Sequence, residues 1–274
     1  MAAAQGESKN VDTFSVGAQH YEEAIERSLT RVPDRQPRAA YPASPSRRMD
    51  AGAIGSIITS YPLQLCEPCD EKLLGTVEFL LSNCFYKDGF FQDMIHSGVN
   101  AYLTLHVAQT LLRADDPRYA SLIRAVASIA SPTGHWPEAV HPRTSGGCMG
   151  DGQHAWAAAE WVAMMRNCFI REEGQRLILA SGVWPEWLNS NQVLEFGPVP
   201  TQSGLISVTI TPLSESIQTC EESGDLPASR YCVSWEAIWH RQSPEISVQL
   251  PEFNQITLSE GHTENFVNCK RIVA

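Results

Sequence analysis

"TGHWPEAVHPRTSGGCMGDGQHAWAAAEW", residues Thr133–Trp161, joins two segments of helical pattern and is loaded with polar and turn-forming chemistry. It holds Glu138, three histidines (His135, His141, His154), five glycines and three tryptophans. A second carboxylate, Asp151, stands just before what reads as a helix. Most helix connections are short, and a long one usually carries function.

Working outward from it, GQHAWAAAEWVAMMRNCFI is an alanine-rich helix, and its small residues on several faces predict neighbours on more than one side. Upstream, DDPRYASLIRAVASIA is a helix opened by Asp115, Asp116 and Pro117. VNAYLTLHVAQTLLRA is another, with Leu105, Ala108 and Leu112 on one stripe. A second loaded loop, YKDGFFQDMIHSG, precedes it. Before that, DEKLLGTVEFLLSNCF repeats Leu74, Val77, Leu81 and Phe85 at helical spacing. The helices therefore come as hairpins in which plain loops alternate with loaded ones. In a stack of antiparallel hairpins alternate loops lie at the same end, so both loaded loops are expected on one face, with the site there.

REEGQRLILASGV is predicted as one more short helix. After Trp187 the period drops to two: LISVTI, RYCVSWEAIW, EISVQL and NFVNCKRIV alternate or run apolar between turns. Tyr231, Val233, Trp235, Ala237 and Trp239 share one face. At the other end RVPDRQPRAAYPASPSRR has no apolar period and reads as a flexible arm, with a short helix expected over AQHYEEAIERSL. The organisation is an arm (1–50), a helical-hairpin domain (51–190) and a C-terminal β-sandwich-like module (195–274). The fold class expected is mainly α, with a small antiparallel β module at its C-terminal side.

Pro137 fixes its own φ and makes Trp136 extended, so Glu138 is presented from a stiff loop. Trp136 offers a flat face of the kind a sugar ring stacks on, while His135, His141 and Arg143 supply donors. That set suits a polyhydroxylated substrate; a helix-capping glutamate beside a gap-filling tryptophan is the structural alternative. Asp151 is an excellent N-cap residue, and His154 falls in the first helical turn. Asp88 and Asp93 are candidate second carboxylates from the other loaded loop, although Asp88-Gly89 also reads as a turn. The run Ser145–Gly152 lacks the Gly-Lys-Ser/Thr ending of a nucleotide cradle and follows no strand. Cys148 lies near the histidines, but no local signature of a Cys/His nucleophile surrounds it.

A formal net charge of −11 argues against nucleic acid as a partner, since phosphate binding needs a basic surface. No apolar run reaches spanning length, so no membrane association is expected. The eight cysteines are scattered, and Cys66-Glu-Pro-Cys69 has no second ligand pair at zinc-site spacing. We expect free thiols, no metal, no cofactor and a cytoplasmic protein.

The stretch His96–Arg166 resembles the last hairpins of glucoamylase-type, six-hairpin (α/α)6-toroid glycosidases. SGVNAYLTLHVAQ (Ser97–Gln109) is similar to that family's late helix opening, Tyr119–Ala130 to the helix after it, and GHWPEAVHP and DGQHAWAAAEW to its base-bearing turn and the helix that follows. The resemblance implies a partial (α/α)6 toroid and inverting hydrolysis of a glycosidic bond, with Glu138 as the water-activating base. It implies a carbohydrate substrate, with Trp136, His135, His141, Arg143, Asp93, His96, Asp151, His154 and Trp156 as binding residues. The sequence supplies roughly half the helices of such a ring. No segment resembling the family's general acid appears before Ile54. A second polypeptide or self-association is therefore expected to complete the barrel. The alternative is a non-catalytic carbohydrate-binding or scaffolding remnant.

Overall fold

The structure, a computed structural model, describes residues 8–29, 40–44, 46, 48–93, 98–150, 152–190, 192–213, 230–240 and 242–270. Helix α1 (Ser8–Leu29) has mostly exposed side chains and is longer than the short helix expected there. A 3-10 helix (Ala51–Thr59) follows, capped by the Asp50 carboxylate on the Gly52 N–H. Helix α2 (Glu71–Asn83) starts at Asp70, whose side chain accepts from Leu73 N–H, one of the N–H groups a helix start leaves without a partner.

Helix α3 (Ala101–Arg113) is the element around which the rest assembles. Asn100 caps it by accepting from Leu103 N–H, and its interior has no glycine or proline. It is buried on almost every side, not along one stripe as its spacing predicts. The 3-10 helix, helix α4 (Tyr119–Ser128) and helix α5 (Ala155–Phe169) all pack against it. Helix α6 (Pro185–Asn189) is a single turn opened by Pro185.

The two loaded loops are not loops throughout. Strands β1 (Phe85–Tyr86), β2 (Gly89–Gln92) and β3 (Gly98–Val99) come from the first, and β4 (Ala139–Val140) and β5 (Gly147–Met149) from the second. They form one five-stranded antiparallel sheet in that order. Asp88-Gly89 belongs to its first hairpin, where Lys87 and Asp88 both take positive φ (49° and 60°), the geometry of a tight two-residue turn. Gly98 admits the close approach of the two loops. A Cβ there would lie 2.6 Å from Cys148 Sγ and 2.9 Å from Ala139 Cβ.

REEGQRLILASGV is a hairpin and not the short helix expected. Strands β6 (Ile170–Glu173) and β7 (Arg176–Leu179) turn at Gly174, whose φ is +59°. A short apolar run bounded by glycine has no period long enough to separate strand from helix. Strand β7 pairs in parallel with β11 (Ile246–Val248), which pairs with β12 (Ile256–Leu258), giving the order β12-β11-β7-β6. A third sheet runs β13 (Phe266–Lys270), β10 (Arg230–Trp239), β9 (Gly204–Leu213), β8 (Leu194–Pro200), all antiparallel. On β10, Tyr231, Val233 and Trp235 are buried and alternate with more exposed neighbours, as the period of two predicts. One core cluster runs from Ile57 through α3 to Val233, and Tyr231 Oη donates to the Leu188 carbonyl at 2.6 Å.

The chain is thus mainly helical, with helical hairpins and a small antiparallel β module. It is not a partial six-hairpin toroid of the glucoamylase type. Seven helices among the described residues accompany three open sheets, and the stretch likened to the base-bearing turn enters a sheet. A toroid rings its helices about a hollow, whereas α3 fills the centre here. Apolar residues at helical spacing, and small residues where helices meet, recur in packed helix pairs of many folds. With no ring to close, the ground for a partner completing a barrel is gone. No described helix is long and apolar enough to cross a membrane.

Candidate functional site

The structure divides the sequence-predicted site residues into separate places. Asp93 and Arg143, one from each loaded loop, line a cavity of about 610 Å³ walled by Phe79, Phe85 and Phe91. The Cys84 thiol there is pushed up to about 11 by burial and by the nearby Asp93 and Asp50 charges. Glu138, His154 and Trp156 are not among that cavity's lining residues. Trp136 is 5% exposed; its indole Nε1 donates to the Val126 carbonyl at 2.9 Å and its ring packs against Trp161. It is a core residue and offers no face to a ligand. His135 is exposed. His141 Nδ1 accepts from the N–H groups of Arg143 and Thr144, both at 3.2 Å, and so shapes its own turn. His96 and Asp151 lie outside the described residues. The cap position of α5 is occupied by His154.

Of the sequence-predicted site residues, the tryptophan that faces solvent is Trp156. It is 53% exposed, and its ring stacks on buried Tyr102 at 4.3 Å and 22°. His154 lies 5.2 Å from the same Tyr102 ring, and its Nδ1 is buried without a hydrogen-bond partner. Glu138 is held beside them through the chain: Asn100 Nδ2 donates to the Glu138 carbonyl at 3.0 Å, while Asn100 Oδ1 caps α3. Burial raises the Tyr102 phenol above its ordinary value, and the Glu138 charge adds to the rise. Gly150, at φ +77°, passes close over Glu138; a Cβ there would meet Glu138 N at 3.2 Å.

Beneath this surface α3 and α5 run side by side in the same direction, joined by polar pairs. After Tyr102 and Trp156 come His106 and Glu160, with Nε2 and Oε2 3.2 Å apart and side chains 13% and 9% exposed. Next, Gln109 Nε2 donates to Glu160 Oε1 at 3.3 Å, and Asn167 Nδ2 donates to Gln109 Oε1 at 2.9 Å. Tyr61, just after the 3-10 helix, donates its hydroxyl to Glu160; burial, then the Glu160 charge, raises its pKa far above the usual tyrosine value. Glu160 therefore accepts from Gln109 and Tyr61 and lies against His106, so this buried carboxylate has polar partners on several sides. At the far end Arg113 grips Glu173 with two nitrogens and donates to Ser60.

Tyr61, Tyr102, His106, Gln109, Glu160 and Asn167 are absent from the sequence-level candidates. A signal existed: Tyr102, His106, Gln109 and Arg113 fall at i, i+4, i+7 and i+11, and Trp156, Glu160, Ala163 and Asn167 at the same offsets. Polar stripes of matching spacing on two adjacent helices are the mark of a polar interface.

Among the described residues no group of three or more His, Cys, Asp or Glu converges as a metal site. Compared with known proteins, the chain matches no protein-family model, no curated protein and no solved structure.

Proposed function

We propose that the chain is a carbohydrate-active protein whose ligand ring lies on the Trp156 face. The observation that carries this reading is an indole 53% exposed yet stacked on Tyr102 at 4.3 Å, with the Glu138 charge reaching that same Tyr102 and His154 against its ring. A pyranose presents C–H groups to one face and hydroxyls around its rim. A fixed aromatic plane with acceptors and donors at its edge meets both demands. Prior stacking on Tyr102 means little side-chain freedom is lost on binding.

Hydrolysis is the second reading, favoured by Glu138, whose charge reaches Tyr102 at the same face. As the base of an inverting reaction its carboxylate would take a proton from water as the water oxygen bonds the anomeric carbon. The departing oxygen would take its proton from an acid roughly 6.5–9.5 Å away. Glu160, 7% exposed and committed to Gln109 and Tyr61 beneath the surface, does not reach the open face to serve as that acid. Binding without turnover therefore has the firmer support.

Titration of a panel of neutral oligosaccharides, followed by tryptophan fluorescence and calorimetry, tests both readings. Binding lost in Trp156→Ala with the fold intact is the expected result; binding that survives it overturns the site. Sugar release from α- and β-glycosides that disappears in Glu138→Gln would establish hydrolysis. Release unchanged in that variant would remove Glu138 from the chemistry.

A further inference from the structure

The cavity of about 610 Å³ to which both loaded loops contribute is a different place from the Trp156 face: Tyr102, Glu138, His154 and Trp156 do not line it. Separate stretches of chain meet there. Phe79 comes from α2, Phe85 and Tyr86 from β1, Phe91 from β2, and Arg143 from the turn after β4. Asp50 caps the 3-10 helix, and Asp93 directly follows β2.

The walls are held by contacts within the fold. Phe91 N–H donates to the Cys84 carbonyl at 2.7 Å, which ties β2 to the end of α2. Phe85 packs edge-on to wholly buried Phe90, with centroids 5.9 Å apart. The turn that bears Arg143 is closed by Ser145 N–H on the His141 carbonyl at 2.9 Å, and His141 Nδ1 accepts from Arg143 N–H. Phe79, Phe85 and Phe91 are each half-buried, and each leaves ring surface to the cavity. An aromatic-walled hollow of this size with a few charged groups is the form of a small-molecule site.

Asp93 and Arg143 bring opposite charges to this one cavity without neutralising each other. Among the described residues neither side chain forms an ion pair or a hydrogen bond. Asp50 adds negative charge, and both carboxylates bear on the Cys84 thiol at the same wall. In the open cavity the two charges are solvated. A ligand that fills it displaces that water, and a charge covered without a partner costs affinity. A bare amine would leave Arg143 covered and unpaired, and a bare acid would do the same to Asp93. A ligand that carries both signs on a short backbone meets both.

We propose that the cavity binds a free α-amino acid with an aromatic side chain: its ammonium pairs with Asp93, its carboxylate with Arg143, and its ring lies among Phe79, Phe85 and Phe91. The planar fork of a guanidinium suits a carboxylate, and phenylalanine rings take another ring edge-to-face or offset. This site goes beyond the carbohydrate reading and does not rest on it.

The test uses the full chain at pH 7 and four probes: phenylalanine, phenethylamine, 3-phenylpropionate and glycine, with affinities from ligand-observed NMR or calorimetry. Phenylalanine is expected to bind at least about tenfold more tightly than each of the others. Arg143→Gln is expected to weaken phenylalanine by at least about tenfold without weakening phenethylamine. Asp93→Asn should weaken it as much without weakening 3-phenylpropionate. Both positions are exposed, so the fold is expected to survive, which circular dichroism checks. Trp156→Ala should leave phenylalanine binding unchanged. Phenethylamine or 3-phenylpropionate binding as tightly as phenylalanine overturns the inference, because one charge then suffices. Glycine binding as tightly removes the aromatic walls from recognition and overturns it too. So does an affinity for phenylalanine that survives either charge substitution, or the binding of no probe at all. Phenylalanine binding lost in Trp156→Ala would place the ligand on the other face and likewise overturn it.

Discussion

His106 Nε2 lies 3.2 Å from Glu160 Oε2 across the contact between α3 and α5, the two side chains 13% and 9% exposed. Glu160 also accepts from Gln109 and Tyr61, so removing its carboxylate strands both of those donors and takes away the partner of His106. Glu160→Ala is expected to destabilise the fold by about 1–3 kcal/mol for each buried donor left without its acceptor. Glu160→Gln keeps the shape and one acceptor and should cost clearly less. Urea unfolding followed by far-UV circular dichroism measures both; an Ala variant within about 0.5 kcal/mol of the parent, the scatter of ordinary surface substitutions, would mean the network carries little.

The Tyr61 phenol reports the same carboxylate. Its folded pKa is raised far above 10.0, so the folded state holds a proton that the unfolded state releases as pH rises past that value. Stability from this group is therefore intact below pH 10 and declines above it. Absorbance titration at the tyrosinate band should show Tyr61 among the phenols that ionise only on alkaline unfolding. Glu160→Gln removes the nearby negative charge and should bring that ionisation down; no change would place Tyr61 away from Glu160.

Asn100 is wholly buried and bridges the start of α3 to the Glu138 carbonyl. Asn100→Ala loses a cap worth about 0.5–2 kcal/mol and the hydrogen bond to the part-buried Glu138 carbonyl, worth about 0.5–1.5 kcal/mol more. Thermal unfolding gauges the stability. Sugar affinity gauges the position of Glu138, and should fall more in this variant than in Asp70→Ala, which removes the α2 cap away from the site.

Asp116 sits against the Arg118 guanidinium, which also pairs with Glu78. Side-chain hydrogen bonds from Arg118 hold the Asp116 carboxyl below its ordinary 3.8. A depressed carboxylate contributes stability above its unfolded pKa and loses it as pH falls through the folded one. Asp116→Asn should therefore be less stable than the parent at pH 7, by a margin that closes as the pH falls below 3.8. A margin constant with pH would mean that packing, not charge, is at stake.

Helices α2 through α5 were legible because each carries an uninterrupted apolar spacing and an acidic or proline-marked start or a glycine-rich approach. The strands of the third sheet were legible through alternation, most clearly at Tyr231, Val233 and Trp235. The five-stranded sheet was not: its strands are two to four residues long, shorter than any period that can be counted. Trp136 and Trp156 show the same limit at the site. Both are tryptophans beside polar residues, and only the partners brought by folding, the Val126 carbonyl for one and the Tyr102 ring for the other, decide which is buried. Arg171 and Glu173 were hidden because strand alternation puts them on the inward side of a hairpin that read as a helix.

The rungs between α3 and α5 have a mechanical consequence. Two greasy helices can slip past each other by a turn, about 5.4 Å, and find nearly equivalent packing. Here such a slide would break His106 from Glu160 and Gln109 from Asn167 together, so intermediate settings are as poor as wrong ones. The helix pair behaves as a keyed joint with one seating, and Trp156 stands at the end of it like a gauge fixed to a machined bar.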